Sequence, residues 1–250
     1  EGLLPGVVAT LLLATAIPFW CYAAARRAGG LERPEAASVA AHYGSTSAVT
    51  FLAALAFLEA AGDPAEGFLT ALLALMEVPA IVVALVLAGR GAGQGSIGAA
   101  LHHVLTGKTV ALLLGGMLVG RLAGEAGVKA VAPFFVAPFN GILCLFLLDL
   151  GRVTAERIGD LGRHARFLVP LGIVAPVLNG GLGVLAGTCA GLSVGGATAL
   201  GVLAGSASYI AAPAAMRVAQ PDANHGLPLA ASLGVTFPFN LTVGIPLLHS

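Results

Sequence analysis

The sequence predicts an all-α polytopic membrane protein: an inverted five-plus-five repeat with broken helices, of which eight of ten spans are present. Three observations carry this. Of 250 residues, 58% are hydrophobic and 10% charged, with mean hydropathy +0.95, against roughly 25% charged in an ordinary soluble domain. The 35 glycines and 14 prolines fall inside the apolar stretches, which suits interrupted transmembrane helices better than a soluble core. Short polar motifs recur in order at nearly one offset. Disorder, a disulfide scaffold and nucleic-acid binding are excluded: Lys plus Arg and Asp plus Glu are 12 each, leaving no net basic field. The three cysteines are scattered without metal or pairing spacing.

A bilayer-spanning helix needs about 20 mostly apolar residues. On that scale the spans run near 3–25, 35–61, 65–89, 108–124, 131–150, 166–187, 193–216 and 224–248. Between the third and fourth lies a glycine-rich stretch at 91–95. A second piece, 97–105, reads as an interfacial helix or as the early part of the fourth span. The first residue is Glu and no basic region precedes the first span, so that span is not a signal peptide.

Orientation follows from the basic residues. With one crossing per span, Arg26, Arg27, Arg33, Arg90, Lys108, Arg152, Arg157, Arg163, Arg166 and Arg217 share one face. Arg121 and Lys129 share the other. The first face is expected to be cytoplasmic, placing both chain ends outside a bacterial inner (plasma) membrane.

Gly44-Ser45-Thr46-Ser47 in the second span matches Gly205-Ser206-Ala207-Ser208 in the seventh, at an offset of 161. Glu77-Val78-Pro79 matches Thr236-Phe237-Pro238 at 159. Spans one to three therefore pair with spans six to eight. Five spans separate the first members, so the two copies face opposite ways. This divides the chain into 1–90, the remainder of a first repeat with a break near 44–47, then 91–107, a loop or interfacial segment, then 108–250, a second repeat broken near 205–209. The second copy has two spans before its matching trio, which predicts a ten-span parent with two spans preceding this chain.

At each break, glycine loosens the helix and Ser or Thr caps the half-helix that restarts. Such a start exposes unpaired N–H groups and the positive end of a helix dipole. Two of them facing each other suit a small anion, and freed carbonyls and hydroxyls suit a hard cation beside it. The substrate-binding candidates are Gly44, Ser45, Thr46, Ser47, Gly205, Ser206, Ala207, Ser208 and Tyr209. Glu77 stands 13 residues from Arg90 and 14 from Asp63, near the bilayer centre. A carboxylate there costs at least ~2.5 kcal/mol and marks a functional site. It ligates a cation, carries a proton or caps a half-helix. Thr236 and Asn240 join it as weaker cation-binding candidates. No catalytic motif occurs, so the protein is not read as an enzyme. It needs no cofactor beyond sodium as a coupling ion, and uphill movement draws on an ion gradient.

These residues resemble the SbtA-type family of sodium-dependent bicarbonate transporters, across family helices three to ten. The resemblance rests on Gly44-Ser45-Thr46, on Glu77-Val78-Pro79-Ala80-Ile81-Val82 (Asp-Ile-Pro-Ala-Leu-Val in the family) and on Ile173-Val174-Ala175-Pro176. It continues through Ser193-Val194-Gly195-Gly196, residues 205–217, Pro221-Asp222-Ala223-Asn224 and Ile245-Pro246-Leu247. It implies bicarbonate and sodium at the broken helices, an elevator-type movement, a homotrimer and a cytoplasmic PII-like regulator. The family motif Ser-Ser-Ser-Asp-Ile-Ser-Gly-Pro-Pro stands here as Gly205-Ser206-Ala207-Ser208-Tyr209-Ile210-Ala211-Ala212-Pro213, with Tyr209 in place of the Asp. The alternatives are the same fold moving another small anion, sodium-independent or proton-coupled, or a membrane sensor or channel that does not transport.

Overall fold

The computed structural model describes residues 2–89, 98, 102, 106, 108–221 and 223–250. Arg90, Asp222 and nearly all of the 91–107 segment lie outside the described residues. Among the described residues the elements are helical. Among them five helices are long and apolar enough to cross a membrane, or six where a bent pair counts as one span.

Helix α1 (Leu3–Arg27) is followed by α2 (Arg33–Gly44) and α3 (Ala48–Ala61), which together form one interrupted span. A reciprocal pair of Glu32 and Glu35 with Pro34 in the first turn starts α2. Helix α4 (Leu69–Ala88) completes the first group. After α5 (Lys108–Phe135) and α6 (Phe139–Arg157), a second group follows: α7 (Ala165–Cys189), α8 (Val194–Gly205), α9 (Ala211–Ala219) and α10 (Gly226–His249). Helices α1 and α7 are antiparallel: Gly2 lies against Ala190 and Gly191, while Gly29 lies against Phe167.

Where the sequence suggests separate crossings at 108–124 and 131–150, the structure has a bent pair. Residues 125–130, left between the two expected crossings, are helical within α5, whose path turns at Gly124 (φ 62°). The bend into α6 is 49°, with Pro133 near the end of α5.

Helix α10 is the most deformed span. Its turns widen at Ser232–Thr236 and Asn240–Gly244, where the Phe237 N–H reaches Ser232 O and the Ile245 N–H reaches Asn240 O. Pro238 and Pro246 each remove a donor and push the carbonyl of the preceding turn aside, which favours such wide turns.

Small residues let the helices approach closely, as membrane packing requires. On α2, Ala37, Ala40 and Ala41 are fully buried against Ala84 and Ala88 of α4 and Ala212 and Ala215 of α9. An added Cβ at Gly183 of α7 would stand 2.7 Å from Gly201 Cα and 2.8 Å from Leu200 O. At the opposite end of this contact Glu66, between α3 and α4, accepts the Ser193 N–H (2.7 Å) at the start of α8. His249 at the end of α10 meets Asp63 at 2.9 Å.

The α7–α8 contact yields opposite effects from neighbouring glycines. Gly183→Ala must separate two backbones and is expected to lower the unfolding temperature in detergent, at a cost of ~1–3 kcal/mol. Gly181→Ala meets nothing within 4 Å and should raise it, by up to ~1 kcal/mol of helix propensity.

Candidate functional site

The two interruptions meet in the interior. After Gly44 the chain is extended at Ser45 (ψ 176°) and Ser47 (ψ 112°) before α3 begins. After Gly205 it is extended at Ser206 (ψ 169°) before α9 begins. Both glycines are required by close approach. A Cβ on Gly44 would collide with Pro18 of α1, and one on Gly205 would lie 2.7 Å from Pro176 O of α7. Pro18 and Pro176 are 158 residues apart, close to the offset of the breaks they support. That spacing is a sequence signal the motif search missed.

Ser206 joins the breaks, and its bonds assign each proton. Its Oγ lies 3.0 Å from Leu203 O, which can only accept, so the Ser206 hydroxyl proton is used there. It must then accept the Ser47 N–H (2.9 Å) and the Thr46 hydroxyl (3.0 Å). One donor and two lone pairs are thereby filled. A second link runs from the Ser208 N–H to the His42 carbonyl (2.8 Å). Ser206 is a clamp between the breaks, with nothing left for a ligand.

Ser47 and Ser208 are different. Ser47 Oγ accepts from Thr50 N (3.2 Å) and Thr50 Oγ1 (2.9 Å), and Ser208 Oγ accepts from Ala212 N (3.1 Å). Both are repeat-related by 161 residues, both cap the restarting half-helix, and both keep a hydroxyl proton to donate. Between them lies a cavity of about 40 Å³ lined by Thr46, Ser47, Ala48, Glu77, Ser208, Tyr209, Ile210 and Ala211. A water needs ~10–15 Å³ on this scale, so the space suits an anion of about four heavy atoms or a partly dehydrated cation. The starts of α3 and α9 turn their positive dipole ends toward it. Glu77, 2% exposed, has one carboxylate oxygen without a partner, and the Tyr209 hydroxyl, close to Ser47, also lacks one.

The structure thus gathers Thr46, Ser47, Ser208, Tyr209 and Glu77 around one cavity. Gly44, Gly205, Ser206, Ser45 and Ala207 form its support rather than its lining. Thr236 and Asn240 do not line it. Thr236 Oγ1 donates to Gly172 O (2.9 Å), so Tyr43 donates its hydroxyl to Thr236 (2.9 Å). Asn240 Nδ2 donates to Gly205 O (3.0 Å). These two side chains anchor the helices on either side of the breaks, and Tyr43 is a partner that sequence reading did not single out. Among the described residues no group of three His, Cys, Asp or Glu side chains could hold a metal.

A multi-pass helical protein whose two broken spans meet at a small cavity with unpartnered polar groups in its lining has the architecture of a secondary transporter. The chain matches the model of the Na+-dependent bicarbonate transporter superfamily over residues 1–250 and belongs to that family. It is a transporter and not an enzyme. No curated protein matches it.

The clamp makes a stability prediction. Ser206→Ala leaves the Ser47 N–H buried without a partner and should cost ~1–3 kcal/mol, read as a lower unfolding temperature. An unchanged transition would show that the breaks are held elsewhere.

Proposed function

We propose that the cavity between the breaks holds bicarbonate and that sodium binds beside it against Glu77, so that the protein is a sodium–bicarbonate symporter. The observation that carries this is the arrangement of unused groups. The Ser47, Ser208 and Tyr209 hydroxyls and two helix starts offer donors to an oxyanion, while the one carboxylate in the lining offers charge to a cation. A bicarbonate beside an ionised Glu77 is repelled by it at short range. A sodium ion between the two removes that repulsion, so each substrate favours the other, which is what symport needs. Tyr209 supplies a donor where the resembling family has an acid, leaving Glu77 as the cavity's carboxylate.

The reading extends to an elevator-type shift of α1–α4 and α7–α10 relative to α5 and α6. Its support is that the buried core shared by α1–α4, α7, α8 and α10 includes no described residue of α5 or α6, where large apolar side chains such as Leu118, Leu122, Phe134, Phe135 and Leu145 are exposed. With it go a homotrimer, a PII-like regulator and a cytoplasmic basic face in a bacterial inner membrane. The antiparallel course of α1 and α7 supports two inverted copies.

Labelled bicarbonate uptake into proteoliposomes, with inward sodium compared with potassium, tests this. Ser47→Ala and Ser208→Ala should each raise KM about 10- to 100-fold, the value of a hydrogen bond to a charged group. Glu77→Gln should abolish the advantage of sodium over potassium. Full sodium-driven uptake by Glu77→Gln would remove Glu77 from the mechanism.

A further inference from the structure

Among the described residues, buried polar atoms without a hydrogen-bond partner away from the cavity include Ser38 Oγ, His42 Nε2, Gln220 Oε1 and His225 Nδ1, which lie on α2 and in the α9–α10 connection. Their residues are at most 9% exposed. Their chemistry is one-sided. His42 Nδ1 lies 2.7 Å from Ser38 O, a carbonyl that can only accept, so Nδ1 carries the proton and Nε2 presents a lone pair. His225 Nε2 lies 2.8 Å from Gln220 O, so by the same argument its Nδ1 presents a lone pair. The Gln220 amide oxygen adds a third acceptor. A buried acceptor left unmatched costs ~1–3 kcal/mol, and three in one region call for a ligand that brings protons.

Placement supports a single strip. Ser38 and His42 are one turn apart on one face of α2, between the face that packs on α9 and the face carrying Val39 and Tyr43, which packs with Leu227 and Ala230 of α10. Gln220 and His225 lie in the connection between α9 and α10. His42 is nine residues beyond Arg33, about 14 Å along the helix, and its carbonyl holds the Ser208 N–H at the second break. Titratable or charged groups on the elements packed against α2 are Cys21, Tyr22 and the terminal arginines of α1, Glu77 on α4, Arg217 on α9 and His225. The charges that reach His42 are those of Arg217 and His225.

We propose that Ser38, His42, Gln220 and His225 line a hydrated proton-binding strip running from the α9–α10 connection to the second break, with His42 as its inner acceptor. A proton from the solvent at the connection passes through water in the strip to His42 Nε2, leaving an imidazolium there and no net change in the water. A positive charge at His42 lies close to the helix start that faces the anion, so it strengthens anion binding, and bound anion in turn favours the proton. His225 stands at the open end. Burial, opposed by its bond to the Gln220 carbonyl and aided by Arg217, holds its imidazole below the usual range.

The inference rests on the transport reading for its functional half, and two measurements separate them. Radiolytic footprinting of the full chain in lipid nanodiscs, with water as the probe, should modify His42 several-fold faster than Phe51, which is equally buried. Equal protection of both would overturn the hydrated strip whether or not the protein transports. In proteoliposomes, KM for bicarbonate, counted as the ion present at each pH, should fall at least about threefold for each unit of acidification on the side of the α9–α10 connection, approaching the tenfold limit of one coupled proton. His42→Gln should keep uptake and flatten this slope. A uniform loss of uptake with the slope retained would show a packing role and overturn the proposal. Absence of uptake in every variant would count against the transport reading, leaving the footprint to decide the strip.

Discussion

The saturated hydroxyl of Ser206 is the constraint on which the rest of the site depends. By giving its proton to Leu203 O and receiving the Ser47 N–H and the Thr46 hydroxyl, it fixes two chain interruptions against each other in a medium that offers no water to the backbone. Broken helices are costly there, and these are tolerated because each uses the other as its solvent. The neighbours serve the same end. Gly44 and Gly205 bring the breaks against Pro18 and Pro176, alanines close the helices behind them, and Tyr43–Thr236 and Asn240–Gly205 tie α10 to both.

Once the breaks are satisfied by each other, what remains unsatisfied becomes informative. Ser47, Ser208 and Tyr209, each with a hydroxyl proton to give, line one small cavity with Glu77. In the proposed mechanism, donors and a carboxylate around about 40 Å³ are matched by ions of both signs, and coupling would then need no long-range pathway, since the two substrates would be each other's counter-ions.

Much of this was legible in the sequence, for identifiable reasons. The apolar runs had to be helices because only helices and closed barrels satisfy the backbone in lipid. The breaks were visible because Gly-Ser motifs recurred at one offset. The polar residues of α10 were harder. Thr236 and Asn240 sit at the repeat position of Glu77's span, and offset alone places them at the cavity. The prolines of α10 widen its turns and send both side chains to backbone carbonyls instead. Tyr43 carries no signal of its own in the sequence, since the value of its hydroxyl depends on a partner 193 residues away. The bent course of α5 and α6 was hidden because one of its turns sits at a single glycine, Gly124, which nothing in the sequence sets apart from the other glycines of the chain.

The most direct test is calorimetric: bicarbonate binding to the purified full-length protein, with sodium and with potassium, in the wild type and in Glu77→Gln. Sodium should tighten bicarbonate binding about tenfold or more, bicarbonate should tighten sodium binding by the same factor, and Glu77→Gln should bring both factors to about one. Independent binding of the two ions in the wild type would contradict a shared site and with it the account of coupling.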